Sequence, residues 1–131
     1  MFEADVEAIH NDPMARWIGG GDYARFINRR DRRHRESELA SWLHGENDIT
    51  GLQEKTFIER ILPIRDKCLG LAKGNHEDDI LSYGERDVYS SIVNAVTAPD
   101  RPVRLDVGGF VVVHWKKNNK RSRNTFCCNR F

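Results

Sequence analysis

The chain has no apolar run approaching the roughly 18 residues needed to span a bilayer. Its acidic start, Met1-Phe2-Glu3-Ala4-Asp5, is the opposite of a signal peptide's basic opening. Both absences lead us to expect a cytoplasmic protein with no membrane partner. An excess charge of either sign is missing too: 21 Lys plus Arg stand against 20 Asp plus Glu, a formal net charge of +1. No global field therefore draws the chain onto nucleic acid, and any electrostatic site has to be local. Cysteine is scarce. Cys68, Cys127 and Cys128 make an odd count without a C-x-x-C spacing, which argues against both a disulfide framework and a zinc knuckle. Cys68, in an apolar stretch, reads as a small buried hydrophobe.

What is present is one domain's worth of chain: 131 residues, 39% of them hydrophobic, enough for one core and too few for two. Phe2, Val6 and Ile9 share one face of a first helix that stops before Asp12-Pro13. A short extended run follows over residues 15–18 and ends in Gly19-Gly20-Gly21-Asp22, where the backbone can turn tightly and expose the carboxylate. From Arg25 the chain is strongly basic through Arg29, Arg30, Arg32, Arg33 and Arg35. Leu39, Trp42 and Leu43 then mark a helical pattern stopped at Gly45. Thr50 with Gln53 forms a capping-box signature for a helix whose apolar face is Leu52, Phe57, Ile58, Ile61 and Leu62, up to Pro63.

Cys68-Leu69-Gly70-Leu71-Ala72 has the length of a strand and runs directly into Gly74-Asn75-His76-Glu77. Val88, Ile92, Val93 and Val96 give another helix, ended by Pro99. Val103, Leu105 and Val107 alternate with polar residues, and Gly108-Gly109 separates them from Phe110-Val111-Val112-Val113, a hairpin signature. The order predicts an α/β layered domain over residues 1–115, with polar loops at the carboxyl ends of its strands. Residues 116–131 read as a basic tail, a turn or frayed terminus.

If the two strands are neighbours in a parallel sheet, Asp22 and Asn75-His76 meet at its edge. An Asp oxygen can bridge divalent ions, an Asn supplies a neutral oxygen donor, and a His can protonate a leaving oxygen. That mixture suits phosphoester hydrolysis.

Gly21-Asp22 followed by Gly74-Asn75-His76-Glu77 resembles the middle two motifs of the calcineurin-like metallophosphoesterases. Residues 17–33 also resemble the phosphoesterases of phage and prophage genomes. A four-residue match such as Gly-Asn-His-Glu arises by chance in roughly one chain in a few thousand of this length. The resemblance implies a partial αββα sandwich carrying a two-metal centre of manganese, iron, zinc or nickel. In it Asp22 would bridge the metals, Asn75 would bind the second, and His76 would be catalytic, stabilising the phosphoryl group or protonating the leaving oxygen. Glu77 would orient the loop. The family's opening Asp-x-His and its closing His and Gly-His-x-His have no counterpart here, and Arg25 stands where an acid is common. The expectation is therefore a copy truncated at both ends, which self-associates or relies on a second chain for the missing ligands.

The basic run has three readings: a solvated face, a substrate-phosphate wall with Arg25 and Arg29 as its leading members, or a nucleic-acid contact. An alternative function follows, a non-catalytic module that binds nucleic acid or phosphate through residues 25–35. His10, His34 and His44 read as surface residues, and His114 as a structural strand histidine.

Overall fold

The computed structural model describes residues 2–27, 29, 31–84 and 86–129. Asn28 and Arg30 of the basic run lie outside them. Helix α1 spans Phe2–Asn11 and strand β1 Trp17–Gly19. Helix α2 (Ile49–Ile61) leads through a 3-10 segment, Leu62–Lys67, into β2 (Cys68–Ala72). Helices α3 (Asn75–Gly84) and α4 (Val88–Val96) precede β3 (Arg104–Asp106), β4 (Gly108–Lys117) and β5 (Lys120–Asn129). Among the described residues no helix is long and apolar enough to cross a membrane.

The chain is thus mixed α/β: β1, β2 and β3 form a parallel sheet with β2 central, and β4 and β5 form a separate antiparallel pair. Cys68, Leu71 and Ala72 of β2 are fully buried, as expected for a parallel strand covered on both faces. Around them pack Ile61, Ile64 and the α4 residues Val88, Tyr89, Ile92, Val93 and Val96. These α4 residues recur at helical spacing, which makes one apolar stripe. The Tyr89 hydroxyl donates to Leu71 O at 2.7 Å and accepts from Asp106 N at 2.8 Å, bridging β2 and β3 where their register shifts. α1 buries no residue outright. It is held by Lys67, whose ammonium donates to the carbonyls of Ile9, His10 and Asp12 at the helix's carboxyl end.

Four expectations need correction. Leu39, Trp42 and Leu43 do not build an α-helix. The segment makes two 3-10 turns, Glu36–Glu38 and Ser41–Leu43, with Leu39 and Ala40 extended between them. Leu43 is buried but Trp42 is 45% exposed, so there is no continuous core face to stabilise a longer helix. Helix α2 is capped by Asp48, whose carboxylate accepts from Gly51 N at 2.8 Å; Thr50 lies inside the helix. Gln53 instead turns its oxygen to Phe26 N at 3.2 Å.

The hairpin lies one element later than its signature. Gly108-Gly109 open β4, β3 pairs with β2, and the reversal is at Asn118-Asn119. Both asparagines are left-handed, with φ of 49° and 62°. That conformation suits the two-residue turn of a twisted ribbon, and Asn tolerates it well. Residues 120–129, expected as a frayed tail, are therefore the second strand of a ten-residue ladder.

Candidate phosphoester site at the strand ends

β1 and β2 are parallel neighbours, so their carboxyl ends carry the Gly21-Asp22 and Gly74-Asn75-His76-Glu77 loops side by side. The approach is close enough to require glycine on both sides. A β-carbon on Gly21 would stand 2.6 Å from Gly74 N, and one on Gly74 would stand 2.2 Å from Asp22 N. Gly21 is left-handed at φ 94°, and Asp22 follows it at φ 51°.

Glu77, 1% exposed, lies beneath both loops. Its Oε2 accepts from Gly74 N at 2.7 Å and Asp22 N at 3.0 Å, and its Oε1 from Tyr23 N at 2.9 Å. Three otherwise orphaned amides thus share one buried carboxylate. Asp22 Oδ1 in turn accepts from His76 N at 3.0 Å, so a residue from the β1 loop caps the first turn of α3. Tyr23 donates its hydroxyl to Ala72 O at 2.6 Å and packs on Phe57. Burial, reinforced by Glu77, pushes its phenol far above the ordinary range, so Tyr23 is a brace and not an acid at neutral pH.

His76 Nδ1 stands 3.0 Å from Ala24 O. A carbonyl oxygen can only accept, so Nδ1 carries the hydrogen and Nε2 is left for chemistry. The ring borders a cleft of about 700 Å³ whose walls include Arg25, Arg32, Arg33, Asp79 and Tyr83. Asp79 and Tyr83 stand three and seven residues after His76, offsets that put all three on one face of α3. That spacing is legible in the sequence, and it adds Asp79 and Tyr83 to the residues expected beside His76.

The arginines divide. Arg25 reaches the cleft and pairs with Glu38 only at 3.9 Å, both side chains being mostly exposed. Arg32 borders it with no ion pair among the described residues, whereas Arg29 is exposed and is not among the walls. Arg33 is tied to Asp31 at 2.7 Å and Asp79 at 3.3 Å. Its hydrogen bond holds the Asp31 carboxyl down to about 2. Arg33 thus serves the fold of the loop, and Arg25 and Arg32 are the cations available to an anionic ligand.

The expected site residues Asp22, Asn75, His76 and Arg25 therefore lie at one edge of the sheet, and Arg29 is exposed and does not line the cleft. As metal donors, Asp22 and Asn75 fall short of the three or four protein ligands that a tightly held transition ion usually has. Among the described residues no group of three or more His, Cys, Asp and Glu could hold a metal ion. The residues present do not by themselves fit a resident two-metal centre. Cys68, fully buried, takes no part, and burial pushes its thiol up to about 11. No protein-family model, curated protein or solved structure matches this chain.

Proposed function

We propose that this chain is a phosphoesterase of the calcineurin-like type, acting on a phosphomonoester or phosphodiester. Its three-stranded parallel sheet would correspond to part of an αββα sandwich. The observation that carries the reading is the junction of Asp22 with the His76 amide, which joins the two motif loops beside an arginine-walled cleft. The phosphoryl group sits between the Arg25 and Arg32 guanidinium groups, which offer planar forks to its oxygens. A water forms the new bond to phosphorus as the ester P–O bond breaks, and His76, in its charged form with Nδ1 pinned to Ala24 O, donates the Nε2 proton to the leaving oxygen. A divalent ion would supply further neutralisation of phosphoryl charge; Asp22 and Asn75 are the donors this chain would offer it, and the remaining ligands would have to come from a second copy or another chain.

A second reading has its own support. Asp22 already serves as a cap for α3, and an arginine-walled cleft can hold a phosphate without hydrolysing it. Turnover of p-nitrophenyl phosphate and its bis-ester with added Mn²⁺, at rising protein concentration, distinguishes the two. We expect His76→Ala to lose roughly 10²-fold or more of the rate and Asp22→Asn to lose comparable activity. Robust turnover by both variants overturns the site; phosphate binding without turnover supports the non-catalytic module.

A further inference from the structure

The β4–β5 hairpin concentrates charge that the net figure of +1 conceals. Residues 107–131 carry six Lys or Arg and no acid, while residues 1–106 carry fifteen Lys or Arg against twenty acids. A segment of +6 is therefore joined to a body of −5. The register then places like charges opposite one another: Lys116 faces Arg121 and Lys117 faces Lys120. Such cross-strand pairs repel and weaken a ribbon. None of Lys116, Lys117, Lys120, Arg121 or Arg123 has an ion-pair partner among the described residues, and all are exposed.

We propose that this hairpin is a docking arm for duplex nucleic acid, a surface separate from the cleft beside His76. A polyanion is the ligand class that converts these repulsions into attraction, by placing phosphates against cations that have no other partner. The distribution over the two faces selects the duplex. Side chains alternate across the ribbon, so Lys116, Arg121 and Arg123 lie on one face and Lys117 and Lys120 on the other. A duplex groove admits a two-stranded ribbon and presents phosphates on both sides of it. A single strand would need a row of aromatic platforms beside the cations. Near the tip there is one, Trp115; Phe110 and Phe126 lie toward the base and on opposite faces. The base itself is anchored, since Val111 meets the body near Gly70, where Leu105 also packs. The arm thus projects from a fixed root.

The test is fluorescence anisotropy of the full chain with a labelled duplex oligonucleotide in EDTA, across a salt series. With about five phosphate contacts, affinity should fall roughly 500-fold between about 50 and about 200 mM salt. Lys117→Gln with Lys120→Gln, and separately Lys116→Gln with Arg121→Gln, should each flatten the log–log slope by about 1.8. Both pairs should leave the melting temperature unchanged or raised, because a repulsion is removed. Arg25→Gln with Arg32→Gln in the cleft should leave duplex affinity as it was. Duplex binding that is lost with the cleft pair and kept with both hairpin pairs overturns the proposal. So does tighter binding to a single strand or to polyglutamate than to the duplex, or no duplex binding at the lowest salt.

Discussion

Glu77 Oε2 accepts a hydrogen bond from Asp22 N at 3.0 Å, across 55 residues of sequence. The same oxygen takes Gly74 N, and its neighbour takes Tyr23 N. The two loops that carry the candidate chemistry are therefore joined as one unit, positioned from below by a buried carboxylate.

Glu77→Gln should consequently cost roughly 3 kcal/mol or more. Its amide nitrogen would meet a backbone donor, and at least one buried N–H would lose its acceptor. Urea unfolding measures this directly. A loss below about 1 kcal/mol would mean that the loops are held by something other than this carboxylate.

Asp22 can be split into its two roles. Asn keeps an acceptor oxygen for His76 N and removes the charge, whereas Ala removes both. Asp22→Asn is expected to lower turnover with little change in stability, and Asp22→Ala to lower both, by about 1 kcal/mol in stability. Equal loss of stability in the two variants would contradict this assignment.

The capping of α2 has a matching pair of outcomes. Asp48→Ala should cost about 1 kcal/mol, because Asp48 holds Gly51 N at 2.8 Å. Thr50→Val should be neutral or stabilising, since the Thr50 hydroxyl is buried without a partner among the described residues. A real capping box would give the reverse order in thermal melts.

Acid and alkali should each weaken the fold through named groups. Asp31 is held down to about 2 by the Arg33 guanidinium and amide, and Asp48 is lowered chiefly by Gly51 N. Their contributions are complete above the ordinary carboxyl value of 3.8. Both fade as pH falls below that value, and the Asp31 contribution is lost as pH approaches about 2, where its folded-state carboxyl is protonated as well. Both pairs are near the surface, so added salt should shrink the Asp31 effect. At the other end, burial raises Cys68 from 9.0 to about 11. The unfolded thiol ionises first, and stability should decline as pH rises from 9 toward 11. Denaturation midpoints across the pH range check both arms.

The same burial predicts a labelling pattern. Iodoacetamide at mildly alkaline pH should modify exposed Cys127 first and the half-buried Cys128 more slowly. Cys68 should react only on unfolding. Peptide mapping of the native protein reads this out, and early modification of Cys68 would show that β2 is not the centre of the core.

Much of this fold could be read locally. The apolar face of Val88, Ile92, Val93 and Val96, the apolar run of β2, and the breaks at Pro13 and Pro63 are short-range signals, and they correspond to α4, β2 and the ends of α1 and α2. The pairing of Asp22 with the residues around His76 was also legible, because two strands ending in glycine-rich polar loops deliver their side chains to the same edge if they lie in parallel. What residue order could not supply was which contacts compete successfully. Leu39, Trp42 and Leu43 have helical spacing, but of the three only Leu43 is buried and no continuous apolar face forms, so propensity lost to geometry. Leu105 preceded a glycine pair that resembled a turn, yet it joined the parallel sheet because Gly70 leaves room for it there. The residues themselves determined an α/β chain with a pair of polar, glycine-rich loops at its strand ends. Tertiary structure alone decided that Glu77 holds those loops together, that Arg25 and Arg32 share a cleft with His76, and that a basic tail is one strand of a charged hairpin. Each of those outcomes depends on distances between residues far apart in sequence, which no local pattern encodes.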